Sequence, residues 1–209
     1  MMNKTTHGQI QDHLCSFEKI FIHKDILQDF NKLQEAALAS GLDIQIISGF
    51  RSFQRQKDIW NKKVSLNYTK EEIEKCLRWS AIPGFSRHHW GTDLDIVDKN
   101  PLNLNLEYKI LLEPHEYESH GIFSQLGKWL DQNIKDSLFF RPYSKDLGGV
   151  ACEPWHISHR ALSSLFINTL TLETSLDFLN SNACDDIHGR DYLIANFEHI
   201  YHQFIINIT

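Results

Sequence analysis

The stretch Ser86-Arg87-His88-His89-Trp90-Gly91-Thr92-Asp93-Leu94-Asp95-Ile96-Val97 passes from a polar, glycine-containing loop into an alternating run. From Thr92 onward Leu94 and Ile96 face one way and Asp93 and Asp95 the other, because side chains alternate along an extended chain. Two carboxylates on one strand face are costly unless they are solvated or ligated. A strand is therefore expected at 92–97, with a polar face next to a loop that holds Pro83, Gly84 and two histidines.

The flanking patterns supply the rest of the fold. Ile26, Leu27, Phe30, Leu33, Ala37 and Leu38 recur at helical spacing, with Gly41 placed for a left-handed C-terminal cap. Residues 43–48 alternate, Ile44 and Ile46 sharing a face, and lead as a half-buried strand into Ser48-Gly49-Phe50-Arg51-Ser52. Helices are expected at 53–62 and at 69–79, the second opened by a capping box of Thr69 and Glu72. Residues 98–121 are turn-rich, 122–134 are helical in spacing, and Gly148-Gly149 precedes an expected strand at 150–157. Two helical patterns follow, at about 160–179 and 191–208. Strands that do not alternate as βαβ units argue for an α+β fold. The expectation is one domain over 1–209: a small, mostly antiparallel sheet flanked by helices, with a core at about 20–160 and a helical C-terminal extension at about 160–209.

Composition narrows the function classes. With 42% hydrophobic residues, 13 Phe, 6 Tyr and 5 Trp, the chain can bury a sizeable core, and disorder is excluded as its main state. A formal charge of −6 without a basic patch argues against a nucleic-acid binder, whose affinity comes mostly from phosphate contacts. No stretch approaches the roughly 18 apolar residues of a membrane span. The polar residues 1–19 lack the apolar core of about 7–15 residues that a secretory signal needs. No membrane partner and a cytoplasmic location are expected. Cys15, Cys76, Cys152 and Cys184 are too few and too scattered for a disulfide framework, and read as free thiols.

Three stretches place catalytic groups at the edges of apolar strands: 48–52, 86–95 and Glu153-Pro154-Trp155-His156. Two histidines, an aspartate and a spare glutamate are the ingredients of a catalytic metal site, in which three protein ligands leave one position to water. Spacing leaves the ligands open. His88 and Asp95 are seven apart, so His88 must belong to the loop, with Gly91 permitting the change of direction. Pro154 between Glu153 and His156 favours a kink that turns both toward one point. His89 competes with His88, Asp93 with Asp95, and His159 with His156, in a chain of twelve histidines.

At these residues the sequence resembles the VanY-type D-alanyl-D-alanine carboxypeptidases, zinc peptidases related to D-Ala-D-Ala dipeptidases and the Hedgehog signalling domain fold. The matches are Ser86, His88, Gly91 and Asp95; Glu153, Trp155 and His156; and Ser48-Gly49-Phe50-Arg51-Ser52, with Phe50 where the family has Tyr. The resemblance implies that the sheet carries a zinc site with His88, Asp95 and His156 as ligands. It further implies Glu153 as general base, Arg51 facing the substrate and the developing oxyanion, Ser86 and Gln56 as substrate contacts, and Trp155 packed beneath the site. Asp93 departs from the family, which usually has a small or apolar residue there. The implied substrate is a peptidoglycan stem peptide or muropeptide that loses a C-terminal D-alanine, by D,D- or L,D-cleavage. A phage-lysin-like endopeptidase and a non-catalytic zinc-containing binding module are the alternatives. The extension beyond His156 would cap the fold or narrow the substrate groove.

Overall fold

The computed structural model describes residues 2–209, with side chains from Lys4 onward. Its centre is a four-stranded antiparallel sheet in the order β3-β4-β6-β5, where β3 is Ile44–Ser48, β4 Asp93–Asp98, β5 Phe139–Phe140 and β6 His156–His159. A separate hairpin pairs β1 (Leu14–Phe17) with β2 (Ile20–His23). The helices are α1 (Met2–Thr6), α2 (Leu27–Ala39), α3 (Phe53–Lys63), α4 (Lys70–Leu77), α5 (Lys99–Leu104), α6 (Ser124–Asn133), α7 (Arg160–Ile167), α8 (Leu172–Asn180), α9 (Arg190–Ala195) and α10 (Phe197–Ile200). A π-helical turn at Tyr201–Ile205 continues α10. None of the helices is long and apolar enough to cross a membrane among the described residues.

The sheet divides the apolar side chains into two bodies. Leu94, Ile96, Ile44, Ile46 and Ile157 pack against Phe30 and Leu33 of α2 and Leu126 and Leu130 of α6. On the other side Trp60 of α3, Ile73 and Leu77 of α4, Phe85 and Trp90 form a second core with Phe166, Leu179, Leu193, Phe197 and Ile200. The segment beyond residue 160 therefore completes a core that α3 and α4 share, with Trp60 Nε1 donating to the His188 carbonyl and Lys57 Nζ paired with Asp186 at 2.7 Å. Every residue of β4 is buried, which leaves Asp93 and Asp95 without bulk water and demands counter-charges for them.

Local signals explain most elements. The Gly41 N–H donates to Leu38 O and the Leu42 N–H to Ala37 O, a Schellman closure of α2 that requires the left-handed φ of +81° at Gly41. Ser52 Oγ accepts the Arg55 amide and caps α3. At α4 Thr69 caps Glu72 as expected, but the Glu72 carboxylate turns mainly to the Ser65 amide and hydroxyl rather than completing a reciprocal box.

Three expectations shift. The strand expected at 150–157 begins only at His156, because Pro154 has no N–H to give and the Glu153 amide donates to Tyr143 O outside any ladder. The pattern at 160–179 is two helices: Thr171 starts α8 through a capping box with Thr174, and the Tyr201 hydroxyl holds Leu170 O in the break. The pattern at 191–208 is likewise divided among α9, α10 and the π-helical turn.

Candidate metal centre and catalytic pocket

His88 lies on a 3-10 turn, Arg87–Trp90, closed by Gly91 at φ +69°. A Cβ on Gly91 would stand 2.8 Å from the His23 amide nitrogen, so glycine alone lets the chain reverse beside the hairpin and enter β4. This reversal defeats the odd spacing and brings His88 Nε2 to 3.3 Å from Asp95 Oδ2. His156 is the register partner of Asp95 across the β4–β6 ladder, and its Nδ1 lies 3.7 Å from Asp95 Oδ1. One donor atom each from His88, Asp95 and His156 fall within 4.8 Å of one another, and all three residues are buried.

Hydrogen bonds fix which ring nitrogens are available. His88 Nδ1 sits 2.9 Å from Gly49 O, so it carries the proton and leaves Nε2 free toward Asp95. His156 is inverted: Nε2 lies 3.0 Å from Asp93 Oδ1 and Nδ1 faces the centre. His89 points away, its Nδ1 2.6 Å from Arg51 O and its Nε2 accepting the Gly84 amide. His159 lies 3.3 Å from Asp29 and accepts the Leu162 amide at the start of α7. The alternatives left open by spacing are separated by these contacts, and His89, His159 and Asp93 stand outside the group of three.

The electrostatics call for a cation. Asp95 Oδ1 is buried with no hydrogen-bond partner. Burial would raise the Asp95 carboxyl, yet His88, His156 and Arg51 together hold it below the usual range. At Asp93 burial is likewise overridden, chiefly by Arg87 and His156, and the group stays ionised. Burial disfavours a charged His156, but Asp93, Glu153 and Asp95 together raise it to about 10. Two imidazole nitrogens and a buried carboxylate with a free oxygen fit a divalent ion of borderline softness such as zinc.

Glu153 Oε2 lies 2.9 Å from His156 Nδ1, and Glu153 is held just before β6 by the Tyr143 carbonyl. Arg51 follows β3 and aims its guanidinium into the same cavity. Its Nη1 donates to Gln56 Oε1 at 3.0 Å and its Nη2 to Ser48 Oγ at 3.3 Å. The cavity has a volume of about 700 Å³ and is lined by Arg51, Ser86, His88, Asp95, Glu153 and His156, with Trp79, Leu111, Leu112 and Val150 among its walls. Gln56 does not line it: the residue is fully buried, with Nε2 on Ala81 O at 2.6 Å and Oε1 holding Arg51. Trp155 belongs to the core below, 5.9 Å from the Tyr117 ring.

Sequence reasoning did not single out Arg87 and Tyr143. Arg87 is 3% exposed and pairs with Asp93, while the Tyr143 ring meets His156 edge-on at 5.2 Å. A signal for Arg87 exists in hindsight: an unpaired acid inside a buried strand needs a cation, and Arg87 and Lys99, each six residues from Asp93, are the nearest in the chain. Tyr143 carries no such signal.

Buried histidines set an acid limit on stability. Burial lowers His7, stacked on Phe178, and lowers His13 to about 4 and His89 to about 3. Between those values and about 6.5 the unfolded chain binds more protons, so stability is lost as pH falls through that window. In chelator-treated protein the urea midpoint should drop from pH 6.5 to 4, and His7→Phe, which keeps the ring stack and removes a group whose pKa burial lowers, should make the drop shallower. A midpoint that stays flat over this range would contradict the burial of these rings.

The VanY family of D-alanyl-D-alanine carboxypeptidases matches residues 19–162. An uncharacterized protein of Haemophilus influenzae is 35% identical over 128 residues, covering 60% of this chain and 94% of that protein. The putative carboxypeptidase YodJ of Bacillus subtilis is 31% identical over 175 residues, covering 78% of this chain and 58% of its own length. The chain thus spans about three fifths of YodJ, and a similar share of the D-alanyl-D-alanine carboxypeptidase of Enterococcus faecalis. Among solved structures, VanYB in complex with D-alanine-D-alanine superposes with a TM-score of 0.56 at 25% identity, covering 81% of this chain and 90% of that one. A mutant of the vancomycin-resistance D,D-pentapeptidase VanY in complex with Zn(II) gives 0.54 at 26% identity, covering 78% and 88%. The matched segment runs from the hairpin through both ligand-bearing strands into α7, and on that extent the chain belongs to the VanY D-alanyl-D-alanine carboxypeptidase family.

Proposed function

We propose that this protein is a zinc carboxypeptidase that hydrolyses the bond before a C-terminal D-alanine in peptidoglycan stem peptides or muropeptides. The observation that carries the reading is the convergence of His88, Asp95 and His156 on one point, with Glu153 and Arg51 on the wall of the same cavity. His88 Nε2, Asp95 and His156 Nδ1 would hold the ion. Zinc, when bound, polarises the scissile carbonyl and lowers the pKa of a water ligand toward 7. Glu153, on the cavity wall, would take a proton from the attacking water and return it to the departing D-alanine amine. Arg51, its fork fixed by Gln56 and Ser48, donates to the oxygen that gains charge, a task suited to a rigid guanidinium. Ser86, buried at the cavity wall, contacts the substrate, whereas Gln56 acts through Arg51.

Support for D-alanine as leaving group comes from the VanYB complex with D-alanine-D-alanine and from the family itself. Purified protein incubated with defined tri-, tetra- and pentapeptide muropeptides should release D-alanine from the tetrapeptide (L,D-cleavage) or the pentapeptide (D,D-cleavage), leave the tripeptide intact, and stop when a chelator is added. Release of no D-alanine from either substrate by zinc-loaded protein would overturn the proposal, and cleavage between stem peptides instead would assign an endopeptidase.

A further inference from the structure

We propose that Arg87 and Asp93 are positioning residues that lock His156 as an Nδ1 metal ligand and so set the affinity of the centre; this rests on the metal reading above. Asp93 Oδ1 receives two groups at once, Arg87 Nε at 2.7 Å and His156 Nε2 at 3.0 Å. Its Oδ2 accepts the Thr92 hydroxyl at 2.9 Å. Arg87 Nη2 donates to Ser158 Oγ at 2.7 Å, and Ser158 is the register partner of Asp93 on β6, two residues beyond His156. The guanidinium lies 4.8 Å from the Trp90 ring centroid and 5.8 Å from that of Phe140. The 3-10 turn that carries His88, the strand that carries Asp95 and the strand that carries His156 are therefore tied together by one side chain on the turn.

This pair is not explained as a stabiliser of the fold. Asp93 is 0% exposed and Arg87 3%, and the desolvation of two such charges roughly cancels their attraction, so an apolar pair of similar volume would serve packing as well. What an apolar pair would not do is accept the Nε2 proton of His156. With Nε2 held by a carboxylate, Nδ1 is the nitrogen left for the centre shared with Asp95 and His88, and turning the ring over would break a charge-assisted bond. The carboxylate also makes the imidazole a stronger donor, and Arg87 holds that carboxylate in place through Nε. His88 meets the same need with a backbone carbonyl, Gly49 O, so the two histidines are oriented by groups of different charge.

The test measures zinc affinity by competition with a chromophoric chelator, together with the visible spectrum of the cobalt-substituted protein. Loss of a partner of this kind costs about 10–100-fold in metal affinity. Asp93→Asn should weaken zinc by that factor and alter the cobalt spectrum, with the metal-free protein still folded by circular dichroism. Because Asp93→Asn leaves Arg87 buried without its counter-ion, the double variant Arg87→Met with Asp93→Asn removes both charges and should show the same weakening. Zinc affinity within threefold of the parent in the double variant, with an unchanged cobalt spectrum, would overturn the positioning role while leaving the metal centre intact. A parent protein that binds no zinc at equimolar concentration would instead overturn the metal reading on which the proposal rests.

Discussion

Glu153→Gln should retain zinc and lose at least about 10²–10⁴-fold in turnover, the range credited to a general base. The substitution keeps the shape of the side chain and removes only its capacity to carry a proton. Glu153 is 15% exposed in its side chain and opens onto the cavity, so the exchange leaves no unpaired charge in the core. Its one strong contact is His156 Nδ1 at 2.9 Å, the nitrogen assigned to the ion. Zinc affinity should thus stay within a few-fold of the parent while D-alanine release collapses. The two readouts separate the roles: a ligand would take the metal with it, and a bystander would leave both unchanged. Near-parental turnover, or loss of the metal, would remove Glu153 from its assigned place.

Much of this centre is legible in the chain because its parts are local. Gly91 between a histidine-bearing loop and an alternating strand announces a reversal, and Pro154 between Glu153 and His156 announces a strand that starts late. The α2 closure at Gly41 and the strand 44–48 follow from periodicity and one glycine. What stayed hidden depends on register and on distance in sequence. Arg87 meets Asp93 and Ser158 only because β4 and β6 pair as they do, and no local pattern gives that pairing. Gln56 was expected at the substrate, but α3 turns it inward, where Ala81 O and Arg51 use both ends of its amide. The hairpin at 14–23 was missed because its strands have four residues each, too few for a clear alternation, and β5 because it has two residues.

The C-terminal segment was expected to cap the fold or narrow a groove, and its contacts give it a share in shaping the pocket. Asp186, the His188 carbonyl and the His188 ring hold Lys57, Trp60 and Val64 at α3, whose Ile59 and Lys63 line the catalytic cavity. Thr209 bonds Pro142 O and Ser144, and Gln203 bonds Gly148 O, on the loop that carries Tyr143 and Val150 to the opposite wall. Elements that line the cavity on both sides thus contact the C-terminal segment.

Asp95→Ala should abolish zinc binding at micromolar concentration and reduce D-alanine release to background, with little change in the metal-free fold. The carboxylate is one of three donors, and it alone supplies full negative charge against a divalent ion, so its loss is not made good by the two imidazoles. In the metal-free state its contribution is smaller and mixed: Oδ2 meets His88 at 3.3 Å, but Oδ1 is buried without a hydrogen bond, and desolvation opposes its charge. Metal-free parent and variant should therefore melt within a few degrees of each other. Zinc should separate them. A ligand at 1,000 times its Kd stabilises the folded state by about 4 kcal/mol, which for a chain of this size corresponds to roughly 8–16 °C in melting temperature. The parent should show a rise of that order on adding zinc and lose it to a chelator, and Asp95→Ala should show neither change. An equal rise in the variant would place the ion elsewhere, because no other carboxylate shares this site with both imidazoles without giving up a partner it already holds: Asp93 is bound to Arg87, and Glu153 would have to leave the position from which it handles the proton.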